Sequence, residues 1–171
     1  MLKIELVRNQ KQADAVYTLA YEFIGWLRKR YPEMDREIDV YLEHQEFDAH
    51  IREVLKHYTP PQGECLLANH DGQPVGLLML KDIGGGKCEM NRMFVREKAR
   101  GMGAGRALVE TLKQRARDMG FEVMVLSALP RHYEALPLYR SCGFELDDRE
   151  SEAGNSDNAV LMKLNLGKGP E

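Results

Sequence analysis

The stretch CEMNRMFVREKARGMGAGRALVETLKQRARDMG, Cys88 to Gly120, decides the fold. Cys88 to Val95 has the composition of a strand, Arg96 to Ala99 makes a short connection, and Arg100-Gly101-Met102-Gly103-Ala104-Gly105 is a glycine-spaced loop. Beyond Arg106, the apolar residues Ala107, Leu108, Leu112, Ala116 and Met119 recur at helical spacing, and Gly120 is placed to end that helix. Alternating glycines at the mouth of a helix leave backbone N–H groups uncovered where the helix dipole adds positive potential. The loop therefore reads as a seat for a phosphate. Phe121 to Leu126 follows as a strand that is apolar except at Glu122. Strand, helix and parallel strand in this order make one βαβ unit, with the loop at the carboxyl end of the first strand, where ligands bind.

What the loop lacks narrows the phosphate. Gly105 is followed by Arg106 and Ala107, not by Lys-Ser/Thr, which excludes a P-loop. The dinucleotide pattern GxGxxG fails in both registers, because Arg106 and Leu108 stand where its third glycine belongs. What remains is Arg-x-x-Gly-x-Gly, preceded by Glu89-Met90-Asn91-Arg92-Met93-Phe94-Val95 and followed downstream by Leu138-Tyr139-Arg140-Ser141-Cys142-Gly143-Phe144. In these three segments the chain resembles the GCN5-related N-acetyltransferases (GNAT), whose pyrophosphate loop, cofactor strand and Leu-Tyr-x-x-x-Gly-Phe segment they match.

The resemblance implies an α/β fold: a mixed, mostly antiparallel central sheet of about seven strands flanked by about four helices, with a βαβ cofactor-binding unit. It implies transfer of an acetyl group from acetyl-CoA, with no metal, to a primary amine on a small molecule or peptide. The alternative is a non-catalytic acyl-CoA-binding module. Backbone N–H groups of Gly101, Met102, Gly103, Ala104, Gly105 and Arg106 are expected at the pyrophosphate, with the side chains of Arg100 and Arg106 nearby. Backbone groups of Met93, Phe94 and Val95 are expected along the pantetheine arm.

Tyr139 falls on the family's tyrosine and is the candidate general acid: a phenol with an ordinary pKa near 10 can protonate a departing thiolate near 8.5. Glu89 is the candidate base, or a group that orients the cationic acceptor. Strand alternation predicts Glu89, Asn91, Met93 and Val95 on one face. Seven residues before the tyrosine the family often has an asparagine that bonds the pantetheine arm, and here that residue is His132. Imidazole can donate the same hydrogen bond.

Outward from this centre, Leu2 to Val7 alternates as a half-buried strand, and Asn9 stands at an N-cap. Gln10 to Lys29 carries apolar residues at three- and four-residue intervals and reads as one long helix, stopped at Tyr31-Pro32. Residues 31–43 read as a loop or short helix, and His44 to His57 as a second helix ended by Thr59-Pro60-Pro61-Gln62-Gly63. By the resemblance these helices wall the acceptor pocket, with Trp26, Arg30, Tyr31 and Tyr41 as candidate contacts. Glu64 to Asn69 and Val75 to Leu80 read as a hairpin turning at Asp71-Gly72, and Ile83 to Lys87 as a further turn into the Cys88 strand. Glu150 to Asn158 reads as an exposed connection between two last strands.

The whole of residues 1–171 is expected to form a single domain. A net charge of −3 and 30% charged residues give no electrostatic reason for nucleic acid or an anionic membrane. Three cysteines without metal-ligand spacing, and no long apolar run, point to the cytoplasm. His50 and His57 lack a third ligand and read as a surface pair. A homodimer is common in the family the chain resembles.

Overall fold

The computed structural model describes residues 1–147 and 159–167. Its sheet has seven strands: β1 (Leu2–Leu6), β2 (Gly63–His70), β3 (Gln73–Gly84), β4 (Lys87–Val95), β5 (Val123–Ala128), β6 (Glu145–Leu146) and β7 (Val160–Asn165). The order across the sheet is β1-β2-β3-β4-β5-β7-β6, and every pairing is antiparallel except β4 with β5.

Among the described residues there are six α-helices and two short 3-10 turns, not the four helices expected. They are α1 (Gln10–Arg30), α2 (Asp35–His44), α3 (Phe47–Arg52), α4 (Val54–His57), α5 (Ala104–Asp118) and α6 (Ala135–Ser141). The first expected helix is present. Asn9 Oδ1 accepts from the Gln12 N–H at 2.9 Å while the Gln12 side chain bonds back to the Asn9 N–H, a capping box that fixes where α1 begins. The second is corrected. Residues 31–43, expected as a loop or short helix, hold most of α2, which runs on to His44, and the helix expected from His44 to His57 is broken at Glu46, which holds a left-handed φ of 47°. The break turns the chain so that Phe47 and Ile51 are buried, whereas α2 buries only Ile38. A second break at Glu53 separates α3 from α4. Glu150 to Asn158 lies outside the described residues.

Two apolar cores lie on opposite faces of the sheet. One joins α1–α4 to Cys65, Leu67, Leu77, Met79 and Phe94; the other joins α5 and α6 to Leu66, Leu78, Leu80, Met90 and Met124. The adjacent strand residues alternate between the two, as pleating requires. At one edge Glu64, fully buried, is held by Arg8 in a two-pronged pair at 2.7 and 2.8 Å and by Arg115 at 2.9 and 3.0 Å. This cluster ties the residue just before the α1 N-cap and the last turn of α5 to β2. No helix among the described residues is long and apolar enough to cross a membrane.

Candidate active site

The site begins where two parallel strands part. β4 pairs with β5 only at Lys87, Cys88 and Glu89, while β5 continues to Ala128 against β7. The edge of β4 from Met90 to Val95 therefore has no partner strand on that side. Below Glu89 lies an irregularity that the sequence pattern hid. Leu77 pairs with Phe94 and Met79 with Asn91, so Arg92 and Met93 stand opposite the single residue Leu78. This is a β-bulge, and Arg92 holds its left-handed conformation at φ 54°.

The bulge corrects the expected side-chain faces. Cys88 and Met90 point to the α5 side, so Glu89 and Asn91 point to the α1–α4 side; after the extra residue, Met93 and Val95 face α5 and Phe94 faces α1. Glu89 and Met93 are thus on opposite faces.

A cleft of about 420 Å³ opens at the parting of the strands. Met93, Phe94 and Val95 line it from β4, Arg100, Gly101, Gly103, Ala104, Gly105 and Arg106 from the loop, and Trp26, His132, Glu134 and Leu138 from the opposite side. Met102 does not line it and is 47% exposed. None of the backbone N–H groups from Gly101 to Arg106 makes a hydrogen bond of normal geometry among the described residues, and α5 has no side-chain cap and no acid in its first turn. Six unpaired donors at a helix N-terminus favour an anion. Gly101 and Gly103 hold φ of 81° and 85°, where an L side chain is strained. Gly105 is needed for a different reason: a Cβ there would lie 2.9 Å from Met93 Cε and 3.0 Å from Leu138 Cδ2.

The arginine side chains are less free than the sequence implied. Arg100 Nε donates to the Val95 carbonyl at 3.1 Å, and its guanidinium lies over Trp26. Arg106 turns to α6, donating to Ser141 Oγ at 2.7 Å. Glu134, which sequence reasoning missed, brings a carboxylate to the cleft wall; Arg30, bonded to it at 2.9 Å, holds that carboxyl below its usual range, with Arg100 adding to the effect. No motif marks it, because its position depends on how the loop after β5 folds over α1.

His132 lies in the cleft wall against the Trp26 ring, with Nδ1 2.7 Å from the Tyr31 hydroxyl. Burial lowers the imidazole to about 4, so it is neutral at pH 7. Trp26 and Tyr31, expected as acceptor contacts, both lie against His132, and Trp26 lines the same cleft.

Tyr139 is buried in α6, its ring 6.0 Å from Phe144, and its hydroxyl makes no hydrogen bond among the described residues. Burial, with Cys142 adding, raises its pKa above the ordinary phenol value. It does not itself line the cleft, though Leu138 and Ala135 of the same helix do. Glu89 is also outside the cleft lining; its carboxylate faces α2 and accepts from Asn91 Nδ2 at 3.4 Å. All three cysteines are buried and free, and burial pushes the Cys88 thiol up to about 12. The His50 and His57 rings lie 4.3 Å apart, and no group of three metal-ligating side chains occurs among the described residues.

Residues 20–144 match the Acetyltransferase (GNAT) family. An uncharacterized N-acetyltransferase of Schizosaccharomyces pombe is 32% identical over 135 residues, covering 78% of this chain and 82% of that one. The fold is shared with an acetyltransferase of the GNAT family from Staphylococcus aureus, at a TM-score of 0.74 and 18% identity, covering 97% of this chain and 99% of that one. It is also shared with the PaiA N-acetyltransferase of Thermoplasma acidophilum, solved in complex with coenzyme A, at a TM-score of 0.73 and 16% identity, covering 95% and 99%.

Proposed function

We propose that this chain, which belongs to the GNAT acetyltransferase family, moves an acetyl group from acetyl-CoA to a primary amine by direct transfer in a ternary complex. The observation that carries the proposal is the meeting, in one cleft, of an unpaired strand edge and a row of unpaired N–H groups. The first suits the amides of a pantetheine arm, which can pair with Met93, Phe94 and Val95 as a strand would. The second suits the pyrophosphate, across Gly101, Met102, Gly103, Ala104, Gly105 and Arg106. Arg100 braces the junction through the Val95 carbonyl. A neutral His132, with Nδ1 engaged by Tyr31, offers its other nitrogen to the arm. That the Thermoplasma protein of the same fold was solved with coenzyme A supports a coenzyme A thioester as the ligand.

In the reaction, the amine lone pair attacks the thioester carbonyl and forms the C–N bond. The tetrahedral adduct then collapses, breaking the C–S bond. Glu89, directly or through water, takes the proton that the acceptor must lose, or orients the ammonium before it is lost. Tyr139 keeps its proton because burial disfavours the phenolate, and it gives that proton to the leaving sulfur. Direct transfer is favoured over an acetyl-cysteine intermediate because burial raises the pKa of each thiol, which suppresses the nucleophilic thiolate.

Calorimetric titration with acetyl-CoA, with ATP and NAD as controls, tests the cofactor reading, and thiol release on adding a panel of primary amines tests turnover. Saturable binding of acetyl-CoA alone, with amine-dependent thiol release, is the expected result. Binding without release across the panel would leave only an acyl-CoA-binding module.

A further inference from the structure

On the opposite face from α5, β4 carries a buried cation without a counter-ion. Arg92 is 5% exposed, and its Nε and Nη2 are sealed and make no hydrogen bond. Nη1 donates to the Tyr58 hydroxyl at 2.5 Å and reaches Asn91 Oδ1 at 3.5 Å and Met79 Sδ at 3.9 Å. The guanidinium is otherwise flanked by the rings of Phe47 and Tyr58, at 5.1 and 5.6 Å. Among the described residues no carboxylate pairs with it. A buried guanidinium is normally paired, because desolvating a charge is costly unless another charge or a full set of hydrogen bonds replaces water. Ring faces and one phenol do not replace two missing acceptors.

The surroundings point to the missing partner. Glu89, three residues earlier on the same strand, faces the same side, and Asn91 bridges the two: its Nδ2 reaches Glu89 and its Oδ1 reaches Arg92. Tyr41 of α2 is 44% exposed as a residue, yet burial of its hydroxyl end raises its pKa, with Arg92 opposing and Glu89 adding to the rise. Tyr58 also walls a second cleft, of about 610 Å³, with His50, Lys56, His57 and Lys81 around it and Asp82 as its acid. Lys81 stands directly across the β3–β4 pair from Glu89 and has no ion pair among the described residues.

We propose that Arg92 is the anchor for a carboxylate on the acceptor, so that the acceptor is an α-amino acid or a close analogue whose ammonium lies toward Glu89. The proposal rests on the transferase reading above and names its substrate class. A planar fork with two free donors fits a carboxylate in two-pronged fashion, and an α-amino acid places its ammonium beside that carboxylate. The two nitrogens are closed to water in this structure, so the proposal requires the α2–α4 wall to move outward for the anion to enter.

The test compares the common α-amino acids, each with its own α-carboxamide, for acetyl-CoA-dependent thiol release, with direct calorimetric binding of the same pairs in the presence of CoA. At least one acid is expected to exceed its amide by about tenfold or more in kcat/KM, the scale of one charge-assisted contact. Arg92→Met should bring that ratio near one, and Arg92→Lys, which keeps the charge but loses the fork, should restore part of it. Both should still bind acetyl-CoA. Equal rates for acid and amide, a ratio unchanged in Arg92→Met, or no acid that reacts or binds would overturn the proposal. If Arg92→Met fails to melt cooperatively, the acid-to-amide ratio of the unaltered protein decides. Saturable acetyl-CoA binding in the same sample separates failure of this proposal from failure of the transferase reading.

Discussion

Replacing Gly103 by glutamate and, separately, by glutamine measures whether the loop seats an anion. Gly103 is the N-cap of α5 with φ 85°, and a Cβ built on it meets nothing within 4 Å. Either side chain therefore fits, and either pays the left-handed penalty of about 1–2 kcal/mol. For a chain of this length that lowers Tm by about 2–8 °C. Because the two side chains match in size and share the strain, their difference in acetyl-CoA affinity reports charge alone. A carboxylate about 6 Å from one pyrophosphate charge, at an effective dielectric of about 20 to 40, is repelled by about 1.4–2.8 kcal/mol. That corresponds to about 10- to 100-fold in Kd. Calorimetric titration at low salt reads the ratio, which should shrink as added salt screens the charge. Equal Kd values for the two variants at low salt would refute the reasoning, since a phosphate at this loop cannot ignore a new negative charge.

Tyr139→Phe should lower kcat by about 10²- to 10⁴-fold, the range for loss of a general acid, with acetyl-CoA affinity nearly unchanged; unaltered turnover in a thiol-release assay removes the role. Glu64→Gln removes the charge from a buried carboxyl whose partners Arg8 and Arg115 are part-exposed, and should cost about 1.5–3 kcal/mol in urea unfolding, the scale for hydrogen bonds to a charged group; a loss within error would show that water already screens the cluster. The two arginines and the Cys65 N–H hold the Glu64 carboxyl below its usual pKa despite its burial, so its contribution is present above the unfolded value and drains away as pH falls through the folded one. Acid unfolding should therefore lose part of its slope in Glu64→Gln. His132 is shifted the same way for a different reason: burial lowers it to about 4, so the folded chain binds fewer protons than the unfolded chain between there and about 6.5, and stability declines as pH falls across that window. An NMR titration of the His132 ring should show a midpoint near 4, and a midpoint near 6.5 would mean that the ring is solvated.

The parts of this molecule that a reader of the sequence can see are those built from residues with one conformational purpose. Asn9 is the N-cap its position implied, the glycines at 101 and 103 leave the backbone of the loop uncovered as their spacing implied, and α5 buries the Leu108, Leu112 and Ala116 face that its periodicity marked. The misses have the opposite character. Glu46 and Arg92 adopt left-handed φ with no glycine to announce it, so periodicity predicts an unbroken helix through the first and a straight strand through the second. Glu134 reaches the cleft through tertiary placement, which no local pattern encodes. Tyr139 is marked by the family resemblance and Glu89 by its place on the strand, and they occupy opposite sides of the sheet from one another.

That division follows from the bulge. A non-glycine residue in the left-handed region costs on the order of 1–2 kcal/mol, and a buried arginine lacking a counter-ion costs more, yet both penalties fall on Arg92. What the fold gains is a change of face within one strand. Before the bulge, β4 presents Glu89 and Asn91 to the helices α1–α4. After it, β4 presents Met93 and Val95 to α5 and the glycine loop, with its free edge along the first cleft. A regular strand would have put Glu89, Met93 and Val95 on one side. In the proposed ternary complex the extra residue would let amine and thioester approach the parting of β4 and β5 from opposite faces of the sheet, where neither strand offers the other a hydrogen bond. The proposed transfer thus gives the strain at Arg92 a use, as strained residues at functional sites commonly have.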